Sequence, residues 1–399
     1  MGEFLRRGGT KGRGAGINPP GRFESRTTVG FHDGWDLEEE PQPNPETQFI
    51  AEPAKSIISG NDSPDIAFSQ SINPYRGCEH GCSYCFARPS HAYFNLSPGI
   101  DFETKIFYKP NAAELLEKEL SHPRYVCQQI AIGTNTDPYQ PAERKFGIMR
   151  SLLEVMQRYR QPVSIVSKGA ALIERDLDLL AEMGRAHLAN VAISITSLSD
   201  DIKRTLEPRA ASPGSRLRLV RKLSEAGVPV MVMVAPVIPA ITDNELESIL
   251  AAARDAGALA AGYTLLRLPW EVRDVFEDWL NAHHPGKAAH VMSLMRQIHG
   301  GAPQHRSTSA PAAEIDENVQ EAPEPTVDTP LPTPYRKNEH YSSEWGVRQR
   351  GSGPYADLLE QRFRIAATRL GLNRWRDLRL DTAQFRVPPK AGDQISLFS

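Results

Sequence analysis

Between residues 61 and 300, short apolar runs rich in β-branched residues alternate with segments whose apolar residues lie three and four positions apart. The runs predict strands, and the spaced segments predict amphipathic helices between them. The predicted strands are 66–72, 129–135, 162–168, 189–196, 229–237 and 260–268. Strands separated by single helices predict a parallel α/β sheet, either an incomplete TIM-type barrel or a doubly wound sheet. In both architectures ligands bind at the carboxyl ends of the strands.

The flanks of this region have a different composition. Residues 1–60 are rich in glycine and charge and predict a disordered tail. Residues 301–340 predict a linker, because 301–334 contain seven Pro and six acidic residues with one Arg. Residues 341–399 predict a C-terminal helical extension, and 350–390 contain nine Arg and Lys against four Asp and Glu. This basic helix either contacts nucleic-acid phosphates or docks against the barrel with a solvated, Arg-rich face.

Charge and composition narrow the class of protein. The net charge is only −3 in 399 residues, which argues against attraction of the whole surface to nucleic acid or to an anionic membrane. The most apolar stretch, 228–240, is too short for a membrane span and contains three prolines. With no signal-peptide pattern, the sequence predicts a cytoplasmic protein and no membrane partner.

Three of the four cysteines lie within eight positions, directly after the first predicted strand. They are Cys78, Cys82 and Cys85, in the sequence RGCEHGCSYCF. Three thiolates on one loop can converge on one inorganic centre, and Gly77 and Gly81 permit the tight turns that this requires. A [4Fe-4S] cluster held by three cysteines keeps one iron open for a ligand. The alternative is a structural zinc site, which needs a fourth ligand. The candidates for that ligand are Cys127, His80 and His91.

The spacing CxxxCxxC, with Tyr84 before the third cysteine, resembles the signature of the radical S-adenosylmethionine (SAM) superfamily. Within it, NPYRGCEHGCSYCFAR, IGTNTDPYQPAE, VSKG and LEPRAASP most resemble the branch similar to spore photoproduct lyase, also called DNA repair photolyase. The resemblance covers roughly residues 65–300 and implies a partial (β/α)6 barrel. It also implies two cofactors, a [4Fe-4S] cluster and SAM, and a flavodoxin- or ferredoxin-type electron donor.

The resemblance implies a radical mechanism. The amine and carboxylate of SAM chelate the open iron, and one electron from the cluster cleaves the sulfonium to give methionine and a 5′-deoxyadenosyl radical. This radical abstracts hydrogen from a substrate that the sequence does not identify, and a nucleic acid is one possibility. The protein binds and orients the cofactor. A zinc-stabilised nucleic-acid-binding protein without radical chemistry is the alternative function.

The SAM-binding candidates follow from the strand ends and from the resemblance. After the second strand, Thr134, Asn135 and Thr136 offer hydroxyl and amide groups. After the third, Lys168 offers a cation for the SAM carboxylate. The remaining candidates are Ser194, Thr196 and Tyr84, the last resembling the aromatic residue that flanks adenine. Each has a structural alternative, such as capping the next helix, lying in a solvated turn or packing.

Two further features bear on the substrate. The segment Glu207-Pro208-Arg209 is predicted either to lie near the active site or to form a surface ion pair. Spore photoproduct lyases carry a hydrogen-donating cysteine at the end of the second strand, whereas this chain has Gly133-Thr134-Asn135 there. The remaining cysteine, Cys127, begins that strand and is predicted to be a small buried hydrophobic residue.

Overall fold

The computed structural model describes residues 12–23, 45–299 and 340–389. Its strands are β1 Gln48–Ala51, β2 Ile58–Gly60, β3 Gln70–Ile72, β4 Tyr75–Arg76, β5 Lys105–Tyr108, β6 Ile130–Ile132, β7 Val163–Ser167, β8 Ala189–Ser194, β9 Val230–Val237 and β10 Ala260–Leu265. Its α-helices are α1 Asp101–Thr104, α2 Ala112–Leu120, α3 Glu143–Phe146, α4 Ile148–Tyr159, α5 Ala171–Arg175, α6 Leu177–Arg185, α7 Asp200–Leu206, α8 Pro213–Glu225, α9 Leu246–Asp255, α10 Val272–His283, α11 Pro285–His299, α12 Val347–Arg350 and α13 Pro354–Arg369. Short 3₁₀ helices span Arg88–Phe94, Asp243–Glu245, Trp375–Leu378 and Thr382–Gln384.

The six predicted strands are all present, each shorter than its predicted range, as β3, β6, β7, β8, β9 and β10. They pair in parallel and in chain order, and β2 adds antiparallel to β3 at one edge. The register is continuous across the centre, where Ile165 pairs with Val191 and Val191 with Val230. In a doubly wound sheet the strand order reverses at an inner strand. Here the six strands follow one another in chain order across the sheet, as in a barrel. The predicted (β/α)6 partial barrel of the TIM type is therefore confirmed.

Local sequence explains where the helices begin. Ser212 accepts a hydrogen bond from the backbone N–H of Ser215 and is followed by Pro213, so α8 starts with a side-chain cap and a proline in its first turn. Ser199 caps α7 in the same way through Ile202. Helix α8 turns its apolar face onto the sheet, whose central strand β8 is buried along its whole length.

The prediction of a disordered tail at 1–60 is wrong for residues 12–23 and 45–60. Strand β1 pairs with β5 in a second sheet of order β1-β5-β4, and β2 joins the barrel sheet. Ala15 is fully buried against Ile100 and Val275. Low apolar content hid these contacts, because the segment is held mainly through its backbone amides and carbonyls. Residues 1–11 and 24–44 lie outside the described residues, as does almost all of the predicted linker at 301–340.

The C-terminal extension docks against the barrel, which is the second of its two predicted alternatives. In α13, Arg362 pairs with Glu247 of α9 at 2.7 Å, and Tyr355 donates a hydrogen bond to Asp243. Residues beyond α13 continue along the amino ends of the strands, where Asn190 donates to the carbonyl of Leu378. Across the described ranges 12–23, 45–299 and 340–389, no helix is long and apolar enough to cross a membrane.

Candidate active site

The three clustered cysteines lie on a tight loop, residues 77–85, which we call the cysteine loop. It follows β4 at the carboxyl edge of the first barrel strand. Gly77 and Gly81 have φ angles of 77° and 68°, as the sequence predicted for tight turns. A Cβ at Gly77 would lie 2.9 Å from the carbonyl oxygen of Phe102, and one at Gly81 would lie 2.7 Å from Oε2 of Glu103. Both positions therefore require glycine.

The backbone of the cysteine loop is held on several sides by buried side chains. Gln140 accepts from the N–H of Glu79 at 2.9 Å and donates to the carbonyl of Gly77 at 3.0 Å. The guanidinium of Arg88 donates twice to the carbonyl of Cys82, at 2.9 and 2.8 Å. These bonds fix the loop before any metal arrives.

Arg88 forms an ion pair with Glu103 at 2.6 Å, and both side chains are fully buried. Its remaining N–H groups donate to the carbonyls of Pro98 and Gly99. A buried charge of this kind is tolerated because every donor has a partner.

The three thiols are free and close enough to influence one another. Cys78 and Cys82 are buried and Cys85 is partly buried. Burial is the main cause that raises the pKa of each thiol. Lys168 opposes this rise at both Cys82 and Cys85, so a cation stands where thiolate charge develops on metal binding. Three convergent thiols with a cation beside them fit an anionic iron-sulfur cluster.

The ligands that a zinc site would need are engaged elsewhere. His80 lies 3.3 Å from Asp137 through Nδ1, and Nε2 of His91 lies 3.0 Å from the carbonyl of Lys105. Cys127 lies at the amino end of β6, away from the cysteine loop, and is partly buried, whereas it was predicted to be buried. In the described part of the chain, no three His, Cys, Asp or Glu side chains are grouped as a site for a single metal ion. A four-iron cluster has wider ligand spacing, because each cysteine binds a different iron.

Lys168 lies at the carboxyl end of β7, as predicted, and faces the cysteine loop. Its Nζ lies 3.3 Å from the carbonyl of Ala235 and 5.8 Å from the centre of the Tyr84 ring. Its backbone N–H donates to Asp137 at 2.6 Å. Burial raises the pKa of Asp137. His80 and the hydrogen bond from the Lys168 backbone outweigh burial and lower this pKa to about 2.

A second buried ion pair lies beside the thiol of Cys82. Glu207 pairs with Arg216, and both side chains are almost fully buried. Glu207 also accepts hydrogen bonds from Tyr84 and, at 2.7 Å, from Thr196. Burial raises the pKa of Glu207, but Arg216 and Lys168 outweigh it and lower the pKa to about 2. The first of the two predictions for Glu207, a place near the active site, thus matches its position, whereas Arg209 pairs with Glu79 at 2.9 Å.

The structure brings Tyr84, Lys168 and Thr196 together at one edge, and the other candidates lie on the same strand ends with different partners. Thr136 is buried and its hydroxyl donates to the carbonyl of Tyr75 at 2.7 Å, so it braces the entry to the cysteine loop. In the described part of the chain the side chain of Asn135 forms no hydrogen bond, and its backbone N–H donates to the side chain of Asn73. The remaining two are Thr134, which is partly exposed, and Ser194, which is buried at the end of β8.

Sequence reasoning missed the two arginines that support the cysteine loop. Arg88 falls inside the CFAR part of the cysteine motif, and this position could have indicated that it contacts the cysteine loop. Arg216 had none, because its helix also carries Arg218, Arg221 and Lys222 and reads as a solvated basic face. Only the fold shows that Arg216 alone points inward.

Comparison with known proteins agrees with this site. Residues 72–253 match the profile of the radical SAM superfamily, a range that contains the cysteine loop and both buried ion-pair carboxylates. An uncharacterized protein of Mycobacterium tuberculosis is 37% identical over 234 residues, covering 58% of this chain and 68% of the relative. An uncharacterized protein of Methanocaldococcus jannaschii is 26% identical over 202 residues, covering 51% of this chain and 72% of the relative.

Among solved structures, a mutant of spore photoproduct lyase matches with a TM-score of 0.51, covering 81% of this chain and 80% of that chain. At 14% identity this likeness concerns the fold. The matched profile, the three-cysteine loop and the six-stranded partial barrel place this chain in the radical SAM superfamily, whose enzymes use a [4Fe-4S] cluster and SAM.

Proposed function

We propose that this enzyme binds its cluster through Cys78, Cys82 and Cys85, cleaves SAM, and removes hydrogen from a nucleic-acid substrate. When bound, the reduced cluster supplies one electron to SAM, whose cleavage yields the radical that takes the hydrogen. The observation that supports the site is the position of Lys168 over Tyr84, beside two of the three thiols.

The chain's own groups have distinct tasks in this proposal. Lys168 pairs with the carboxylate of SAM, because its ammonium is the cation that faces the cysteine loop from a strand end. Tyr84 is buried beside the Lys168 ammonium with its hydroxyl fixed by Glu207, so it positions Lys168. Thr196 is held between Glu207 and the carbonyl of Ala235, so it keeps the edge rigid. Rigid placement matters because hydrogen abstraction depends on the distance between reacting atoms.

Exposed aromatic rings covered by guanidinium groups support a nucleic-acid substrate. Phe86 directly follows Cys85, is 41% exposed, and lies 4.5 Å from the guanidinium of Arg267. Trp345 is 54% exposed and lies 4.8 Å from Arg348. Helix α12, which carries Arg348, contacts β10, which ends just before Arg267, so the two pairs lie on the same part of the barrel. Aromatic rings for stacking and cations for phosphates are what single-stranded nucleic acids bind.

The end of the second barrel strand has no thiol. Thr134 stands between Gly133 and Asn135, and Cys127 lies at the opposite end of that strand. The proposed reaction therefore returns no hydrogen from a cysteine at this position. This separates it from the lyase mechanism that the family resemblance implied.

The test uses the full chain, reconstituted without oxygen and given SAM and dithionite. We expect 5′-deoxyadenosine from the wild type and from Cys127→Ala, and none from Cys82→Ala, because only the latter removes a proposed cluster ligand. A cluster-loaded wild type that yields no 5′-deoxyadenosine would contradict SAM cleavage.

The substrate class needs its own measurement, made with a fluorescent single-stranded oligonucleotide and the cluster-loaded enzyme. We expect Arg267→Met to weaken binding by about tenfold, because it removes a cation that would pair with phosphate. Arg158→Met is the control, since Arg158 is an exposed residue on α4. Equal affinity of wild type and Arg267→Met, or no binding by the wild type, contradicts a nucleic-acid substrate at this surface.

A further inference from the structure

The segment formed by residues 12–23, which we call the N-terminal segment, lies directly against the cysteine loop. The backbone N–H groups of Gly14 and Ala15 donate to the two carboxylate oxygens of Glu103, at 3.0 and 2.9 Å. Glu103 is the carboxylate that pairs with Arg88, which in turn holds the carbonyl of Cys82. A chain of charge-assisted hydrogen bonds therefore joins the N-terminal segment to a cluster cysteine.

The contact with the loop is also steric. A Cβ on Gly14 would lie 1.6 Å from the carbonyl oxygen of Gly81, between Cys78 and Cys82. The φ angle of Gly14 is not in the left-handed region, so closeness alone requires glycine here. The N-terminal segment is thus packed on the loop backbone with no room for a methyl group.

The far end of the N-terminal segment is anchored on the last βα unit of the barrel. The backbone N–H of Arg22 donates to Glu271 at 3.0 Å, and the Arg22 guanidinium pairs with the same carboxylate at 3.3 Å. Between the two ends, Ser97 donates to the carbonyl of Pro19, and Ala15 packs on Val275 of α10. The segment therefore connects the cysteine loop with the helix that follows β10.

We propose that the N-terminal segment is a part of the cluster site that holds the cysteine loop closed around the [4Fe-4S] cluster and slows its loss. Gly14 acts as a positioning residue through Glu103 and Arg88, and it contacts no reacting atom. This inference rests on the proposed ligation of the cluster by the three cysteines and does not depend on which substrate the enzyme takes.

Coupling between two sites is reciprocal, and this gives a test on the unaltered chain. If the N-terminal segment holds the cluster, the cluster must also hold the segment. We expect hydrogen exchange at the Gly14 and Ala15 amides to be slower in the cluster-loaded chain than in the metal-free chain, by about tenfold. Equal exchange in the two states overturns the proposal.

Two variants of the full chain test the coupling from the other side. In Gly14→Ala the added Cβ displaces the segment, and in Glu271→Gln the anchor of Arg22 at the other end of the segment is weakened. After anaerobic reconstitution and exposure to air, we expect the cluster absorption to decay about tenfold faster in Gly14→Ala, with a smaller acceleration in Glu271→Gln.

Gly60→Ala is the matched control, because a Cβ there meets no atom within 4 Å. Its decay rate should equal that of the wild type. Circular dichroism of the metal-free chains shows whether each variant folds. If Gly14→Ala does not fold, the decay rate of Glu271→Gln alone tests the proposal. Decay at the wild-type rate in every folded variant overturns the proposal.

Discussion

Two buried ion pairs flank Cys82, and they differ in what surrounds them. Arg88 and Glu103 bind backbone groups, among them the carbonyl of Cys82 and the amides of Gly14 and Ala15. Arg216 also donates to backbone carbonyls, those of Ala211 and Ser194, but its partner Glu207 accepts from side-chain hydroxyls and lies near the ammonium of Lys168.

The difference indicates that the two ion pairs have different functions. Backbone partners cannot leave without unfolding the loop, so the Arg88 pair serves the loop's conformation. Hydroxyl groups and an ammonium can change partner when a ligand arrives, so the carboxylate of Glu207, rather than Arg216, serves the ligand side. Removing the first pair should damage the fold, and removing groups around the second should damage SAM binding.

The largest effect is expected from Arg88→Met, which leaves Glu103 buried without its cation. The free energy of unfolding of the metal-free chain should fall by about 3–5 kcal/mol, measured by urea denaturation. Arg158→Met breaks a pair that is about half exposed on both sides and should cost less than about 1 kcal/mol. If Arg88→Met costs no more than this control, the proposed role of the first pair is wrong.

Acid should weaken the second pair next. A carboxyl whose pKa is lower in the folded chain than its ordinary value stabilises the fold above that value, and the stabilisation is lost as pH falls to the folded pKa. For Glu207 this window runs from 4.5 down to about 2, and for Asp137 from 3.8 to about 2.

The stabilisation lost through Glu207 is about 3 kcal/mol, as an order of magnitude. Urea denaturation of the metal-free chain between pH 5 and the bottom of this window measures the loss. Glu207→Gln should have a shallower pH dependence than the wild type. Identical slopes in the two chains would mean that Glu207 does not carry the effect.

Lys168→Met should weaken SAM binding at least about tenfold and lower the iron content much less, because it removes a cation from the ligand side of the site while the three thiols remain. Equilibrium dialysis with labelled SAM and an iron assay measure the two quantities. Lys222→Met, at an exposed pair with Glu174, is the control. Loss of iron without loss of SAM affinity would mean that Lys168 supports the cysteine loop and does not bind SAM.

The smallest effect is expected from Tyr84→Phe, which removes one hydrogen bond to Glu207 while Thr196 still donates to it. The free energy of unfolding should fall by about 1 kcal/mol. A fall as large as that of Arg88→Met would show that the two pairs do not differ in kind.

The alternation of apolar runs and helical spacing predicted the six barrel strands in their order, because strands and helices bury faces with different periods. It did not predict the second sheet or the N-terminal segment. The N-terminal segment is held by backbone hydrogen bonds to single buried side chains, such as Glu103, and the strands of the second sheet are four residues long or shorter, so neither leaves a periodic signal.

The cysteine loop could be predicted from the sequence, because its three cysteines are closely spaced and the glycines beside them permit tight turns. The supporting arginines could not be ranked among 46 basic residues, since burial of Arg88 and Arg216 is a property of the fold. Thr136 resembled a ligand by its position after a strand, yet its hydroxyl is used by Tyr75.

In the function proposed above, three cysteines hold a four-iron cluster whose open iron would receive SAM. Electron paramagnetic resonance of the reduced, reconstituted chain, with and without SAM, measures both the cluster and its response to SAM. We expect a [4Fe-4S] signal in the wild type that changes when SAM is added, and its loss in Cys82→Ala. A chain that binds zinc instead of iron, or a cluster signal that SAM does not alter, would contradict it.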